Sequence, residues 1–200
     1  MLKISFREPT TAESISAAAY DFEKTKKEIF DPRWLQLGRI VRTSEGVFAN
    51  PPEDAERNPV ISEQVLKSHL NGAEKINGIW LYNGQDSRDF GFAPYESFTR
   101  GAQDCETFSQ GGLARLFEHT KEKIAGNLKE ISSPKFYRRG VDVWGFDEVK
   151  EPTLRVAGLN SNRGLGGDRL CVYGGNWIDG RGGVAFGVLQ ETSEAGSPKN

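Results

Sequence analysis

Hydrophobic residues recur at helical spacing in the first two-thirds of the chain and at alternate positions in the last third. Ile15, Ala18, Ala19, Phe22 and Ile29 fall on one face of a 3.6-residue period, with Lys24, Lys26, Lys27 and Glu28 mostly off it. Thr10 and Glu13, three apart, fit a capping box at the start of this helix. Asp31-Pro32 stops it, because the residue before a proline avoids helical dihedrals. Over residues 32–59, Trp34, Leu35, Leu37, Ile40, Val41, Val47 and Phe48 predict one or two short strands, with loops at Asn50-Pro51-Pro52 and Asn58-Pro59. A short second helix follows, capped by Ser62, stapled by Ile61 and Leu66, and stopped at Asn71-Gly72. Gly78 to Gly84 reads as a strand ending in a tight turn. Residues 84–112 read as a long loop with Phe90, Phe92, Tyr95, Phe98 and Phe108 as satellite packing. A third helix is predicted from Leu113 to Ile131 on Leu116, Phe117, Thr120, Ile124 and Leu128.

Beyond Ser132-Ser133-Pro134 the period shortens towards two. Val141, Val143, Leu154, Val156, Leu170, Val172, Val184, Phe186 and Val188 predict three or four strands. Ten of the 23 glycines lie between Gly158 and Gly187, so this region carries tight turns as well. Helices first and strands last predict a single α+β domain over residues 1–200, with a small, distorted antiparallel sheet and long loops towards the C-terminus.

Composition narrows the function. The chain has 200 residues, enough to bury a core, and 36 % hydrophobic with 27 % charged residues marks it as globular. A net charge of −2 gives no footprint for nucleic acid. No apolar run approaches the roughly 20 residues of a bilayer span, so membrane insertion is not expected. Met1 to Pro9 lacks an apolar stretch, so no signal peptide is expected either. Cys105, Cys171, His69 and His119 show no metal-ligand spacing, and the two thiols read as reduced and packed. No cofactor is implied: Gly164-Leu165-Gly166-Gly167-Asp168 lacks the lysine and helix of a phosphate loop, and Gly180-Arg181-Gly182-Gly183 occurs once.

Catalytic chemistry finds little purchase. His119 reads as a solvated helix residue and His69 as a helix-terminal one that favours the dipole. The carboxylate pairs Asp86/Asp89 and Asp142/Asp147, with Glu148 nearby, could serve a hydrolase. Carboxylates in such places also serve only solubility. A third class, a structural subunit of a larger particle, predicts a large exposed apolar patch.

One segment stands apart: Tyr173-Gly174-Gly175-Asn176-Trp177-Ile178-Asp179-Gly180-Arg181-Gly182-Gly183, flanked by strands. Paired glycines let backbone approach closely, and Trp177 could pack over it, leaving adaptable side chains on a rigid scaffold. This Gly-Gly-x-Trp pattern resembles the variable region of C-type-lectin-fold proteins diversified by retroelements, such as phage tropism determinants and their archaeal-virus relatives. The fold is shared with formylglycine-generating-enzyme-like domains. The resemblance covers about 30 C-terminal residues. It implies a C-type lectin-like fold without enzyme activity. It also implies a macromolecular ligand, a protein or glycan on a host or neighbouring cell, and fits a virion-associated or cytosolic protein. Gly174, Gly175 and Trp177 would be scaffold. Asn160, Asn162, Arg163, Tyr173, Asn176, Ile178, Asp179 and Arg181 would face the ligand, with Ser161 and Gly182 beside them. The calcium-binding triplets of sugar-binding lectins and the cysteine pair of the oxidase relatives are absent, so neither activity is implied.

Overall fold

A computed structural model describes residues 3–20, 22, 34–52, 63–82, 89–162, 168–176, 183–184 and 187–192. Strands β1 (Lys3–Arg7) and β12 (Val188–Thr192) form an antiparallel pair. Helix α1 (Thr11–Tyr20) follows β1. Both halves of its capping box form: the Thr10 N–H donates to Glu13 Oε2 at 2.9 Å, and the Glu13 N–H to Thr10 Oγ1 at 3.2 Å. Arg7 grips the Glu13 carboxylate through both guanidinium nitrogens.

The remaining strands make one large sheet. They are β2 (Trp34–Arg42), β3 (Gly46–Ala49), β4 (Glu74–Ile76), β5 (Ile79–Leu81), β6 (Gly91–Pro94), β7 (Gly101–Gln103), β8 (Val141–Trp144), β9 (Thr153–Asn162), β10 (Arg169–Asn176) and β11 (Gly183–Val184). Their order is β4-β5-β6-β3-β2-β9-β10-β8-β7, with β11 paired beside the first residues of β2. Pairing is antiparallel except for β10 with β8 and β11 with β2. Among the described residues, four short helices accompany them: α2 (Glu63–Ser68), α3 (Cys105–Gln110), α4 (Gly112–Phe117) and α5 (Gly126–Ile131).

Alternation along the strands sorts side chains onto two faces. Leu35, Leu37, Ile40, Val47, Ile79, Ala93, Val141, Val143, Leu159, Leu170 and Val172 point one way. They pack with Ile15 and Ala18 of α1, Leu113 and Phe117 of α4, and Leu128 and Ile131 of α5. On the opposite face, Val41, Phe48, Phe90 and Phe92 pack with Leu66 of α2, and Leu154, Trp80 and Tyr82 border them. That second cluster covers the β5-β6-β3-β2 half. The β9-β10-β8 half of the same face carries a different set of side chains, taken up below.

Three sequence expectations are corrected. The elements are not segregated, because β2 to β7 precede α3; the fold is mixed α/β around a ten-stranded, mostly antiparallel sheet rather than a small distorted one. Residues 89–112 are not loop: they hold β6, a 3₁₀ turn at Tyr95–Ser97, β7 and α3. Phe90, Phe92, Tyr95 and Phe108 belong to the two main clusters. All four residues of β6 are buried, so no polar alternation marks it. Gly91 is needed there, since a Cβ would lie 2.7 Å from both Leu116 Cδ1 and the Trp80 carbonyl oxygen.

The helix expected from Leu113 to Ile131 is two helices, α4 and α5. His119 turns into the left-handed region at φ 48°, and the Glu118 carboxylate accepts the Leu128 N–H at 2.5 Å, capping α5 from outside. His119 is therefore no solvated helix residue. It is half-buried against the backbone of Tyr82 and Asp89, and burial lowers its pKa. His69 lies just past α2, edge-on to Phe90 at 6.2 Å.

Candidate functional site

The open half of the sheet is built from alternation. In β8, Val141 and Val143 enter the core, so Asp142 and Trp144 face outward. In β10, Leu170 and Val172 enter the core, which turns Cys171 and Tyr173 to the same outer face. Register then sets two rows. Asp142, Cys171 and Asn160 pair across β8, β10 and β9, and Trp144, Tyr173 and Gly158 pair in the next row, with Gln36 of β2 beyond Gly158. The rows lie about 6.6 Å apart along the strands.

Trp34, level with Asn160 in the first row, brings a third aromatic ring to Trp144 and Tyr173 of the second. Trp144 stacks on Tyr173 with centroids 3.9 Å apart and planes 29° apart. Trp34, at the start of β2, lies 5.4 Å from Tyr173 and 6.2 Å from Trp144, tilted to both. Gly158 lacks a side chain between β10 and β2, which leaves the indole room to reach across β9. Trp144 keeps 43 % of its surface exposed, a large apolar area for a side chain with no covering element among the described residues.

The trio stands on a fixed turn. After β8 the chain reverses at Gly145, φ 75°, where a Cβ would collide with the Tyr173 ring at 2.4 Å. Arg42 donates to the Gly145 carbonyl oxygen at 2.6 Å. The Tyr95 hydroxyl lies 3.1 Å from the carbonyl oxygens of both Thr43 and Asp147. Burial pushes the Tyr95 pKa up to about 12, with Arg42 and Arg100 acting the other way. Phe146 then drops into the core against Phe98 and Phe117.

This explains the paired glycines differently from the sequence reading. A Cβ on Gly174 would meet the Phe146 ring at 2.4 Å, and one on Gly175 would meet the Tyr173 hydroxyl at 2.6 Å. Gly174 and Gly175 are seats for Phe146 and Tyr173. Trp177, expected to pack over them, lies outside the described residues.

Of the expected ligand-facing residues, Asn160 and Tyr173 come to one face in adjacent rows. The backbones of Asn162 and Asn176 lie at the two ends of the β9–β10 pairing, opposite Arg169 and Val156. Arg163, Ile178, Asp179, Gly182 and Arg181 lie outside the described residues. The described residues that flank the last four, Asn176 and Gly183, pair with Val156 and Trp34.

Of the hydrolase carboxylates, Asp86 lies outside the described residues; Asp89 precedes β6, with four strands between it and β8, where Asp142 sits. Asp147 is 80 % exposed, 3.7 Å from Arg100. No group of three or more His, Cys, Asp or Glu able to hold a metal occurs among the described residues. Neither cysteine is in a disulfide; Cys171 is buried and Cys105 half-buried.

Sequence reasoning missed Trp34 and Trp144, and Asp142 was weighed only as an acid–base group. Their signal was present: each tryptophan sits in the outward phase of a strand whose inward phase is Leu35/Leu37 or Val141/Val143. Against known proteins, the chain gives no significant match to any family model, curated protein or solved structure.

Proposed function

We propose that the protein is a recognition module that binds a macromolecular ligand, a protein or glycan, on the open half of its sheet. The observation that carries this is the Trp34–Trp144–Tyr173 cluster, with Trp144 exposed and the other two half-buried, and Asn160 and Asp142 beside it. Aromatic residues supply large contact area at low entropic cost, and amides or carboxylates beside them fix orientation. Asp142 is the single described carboxylate in these rows, which favours binding over hydrolysis.

In this reading residues 177–182 contribute to ligand contact, because the flanking Asn176 and Gly183 pair with β9 and with Trp34. Ile178, Asp179 and Arg181 are then contact residues together with Asn160, Asn162, Arg163, Tyr173 and Asn176. The kinship with retroelement-diversified variable proteins, and the C-type lectin-like fold it implies, rest on the Gly174-to-Trp177 motif. A ten-stranded sheet is larger than that kinship leads one to expect. Roles in host attachment or cell-surface recognition follow from the kinship alone.

The test is a screen of the full chain against arrays of glycans and cell-surface proteins, repeated with Trp144→Ala and Tyr173→Ala. Truncating a central aromatic anchor costs about 2 kcal/mol or more, a loss of roughly thirtyfold in affinity. Ligands bound equally well by both variants would sink the proposal. Sequencing sibling genes tests the kinship separately. Substitutions concentrated at codons 160–163, 173, 176, 178, 179, 181 and 182 support it, and uniform sequences there refute it.

A further inference from the structure

The opposite ends of β8 and β10 border a concave feature, remote from the aromatic rings. It is a pocket of about 300 Å³ whose lining includes Gln103, Asp104, Cys105 and three arginines, Arg138, Arg139 and Arg169. The arginines come from two short stretches held against each other. The Arg139 N–H donates to the Asp168 carbonyl oxygen at 3.0 Å, and the Leu170 N–H to that of Gly140 at 2.9 Å. Gly140 takes φ 80°, and a Cβ there would meet the Gln103 carbonyl oxygen at 2.3 Å, so only glycine lets the arginine turn close onto β7. The Arg169 guanidinium is held in place by the carbonyl oxygens of Arg139 and Val141. Arg138 is 89 % exposed and lies 3.9 Å from Asp168.

Of the acids nearby, Asp168 takes up part of this charge through Arg138. The Asp104 carboxylate accepts both the N–H and the hydroxyl of Thr107, at 2.8 and 2.9 Å, which turns it towards the start of α3. Three arginines therefore line a pocket whose described lining has one carboxylate, Asp104, with Asp168 beside it, so positive charge remains in excess among these residues.

We propose that this pocket binds a small phosphate monoester. A phosphate monoester brings close to two negative charges and three acceptor oxygens, and guanidinium forks match those oxygens in bidentate pairs. A carboxylate offers one charge and two oxygens, which serves fewer of the three arginines. This site is independent of the aromatic face.

Cys105 gives the test a direct readout. It lines the pocket and is partly exposed, while the only other cysteine, Cys171, is buried. The rate of Cys105 alkylation by iodoacetamide, a neutral reagent, is measured on the full chain against increasing phenyl phosphate or benzoate. Phenyl phosphate is expected to slow the reaction saturably, and benzoate to do so more weakly. The double variant Arg138→Gln/Arg139→Gln is expected to raise the half-saturating concentration about tenfold, as loss of charge-assisted hydrogen bonds predicts, with an unchanged melting temperature. Absence of saturable protection, equal protection by benzoate, or an unchanged half-saturation in the folded double variant would each overturn the assignment.

Discussion

Replacing Gly174 by alanine isolates one contact on which the aromatic face depends. The new Cβ would sit 2.4, 2.5 and 2.7 Å from three atoms of the Phe146 ring, and real Cβ contacts essentially never fall below 3.0 Å. The ring cannot swing away freely, because Phe146 is fully buried and packs against Phe98 and Phe117. Overpacking a closed core in this way costs about 1–3 kcal/mol. For a chain of this size that lowers the melting temperature by roughly 2–12 °C. Urea unfolding followed by far-ultraviolet circular dichroism measures the cost. Phe146→Leu makes room for the added methyl, so the Gly174→Ala penalty should shrink sharply in that background, giving a coupling of about 0.5–3 kcal/mol. Gly175→Ala is the contrasting control. Its Cβ meets the far end of the Tyr173 ring at 2.6 Å, and that ring can move outward. Little stability should be lost, while tryptophan fluorescence should change as Tyr173 leaves Trp144. A Gly174→Ala protein within about 0.5 kcal/mol of the parent would refute the packing argument.

Other consequences follow from single contacts. Thr10→Ala removes the hydroxyl that caps α1 and should cost about 1 kcal/mol, read from the urea midpoint; an unchanged midpoint means the capping box contributes nothing. Tyr95 has its folded pKa raised from 10.0 to about 12, so the stability it contributes is fully present below pH 10 and is lost as pH climbs towards 12. Tyr95→Phe should flatten that alkaline slope and cost about 1 kcal/mol at neutral pH, and a slope that persists in the variant contradicts the assignment. Glu118 is also raised, because burial outweighs the N–H groups at the start of α5. Its protonated form is favoured in the folded state, so its contribution is present below the ordinary glutamate value of 4.5 and is lost as pH rises through the folded pKa. Glu118→Gln keeps an acceptor for Leu128 and should remove that part of the slope. Unfolding at acidic and neutral pH decides it, and an unaltered slope counts against the explanation.

What was legible in the sequence was local chemistry. Thr10 and Glu13 declared their helix start because a capping box needs only four consecutive residues, and both of its hydrogen bonds are present. The alternation of Val141/Val143 and Leu170/Val172 declared strands because one face of each is buried. β6 escaped notice because Gly91 to Pro94 is covered on both faces, leaving no polar phase to read. The break between α4 and α5 was hidden because apolar residues continue at helical spacing across it, while the decisive contact, Glu118 to the Leu128 N–H, is a tertiary one. The binding face was half visible. Tyr173 and Asn160 were singled out from the glycine-rich segment. Trp34 and Trp144 reach them only through the strand order β2-β9-β10-β8, which no local pattern encodes.

The central claim is that ligand contact falls on the Trp34–Trp144–Tyr173 face. Hydroxyl-radical footprinting of the full chain, free and bound to a ligand recovered from the arrays, tests this most directly. Strong protection of Trp144 and Tyr173, with Trp80 on the α2-covered half unchanged, is the predicted result. Protection confined to other residues, with Trp144 as reactive bound as free, would contradict the account.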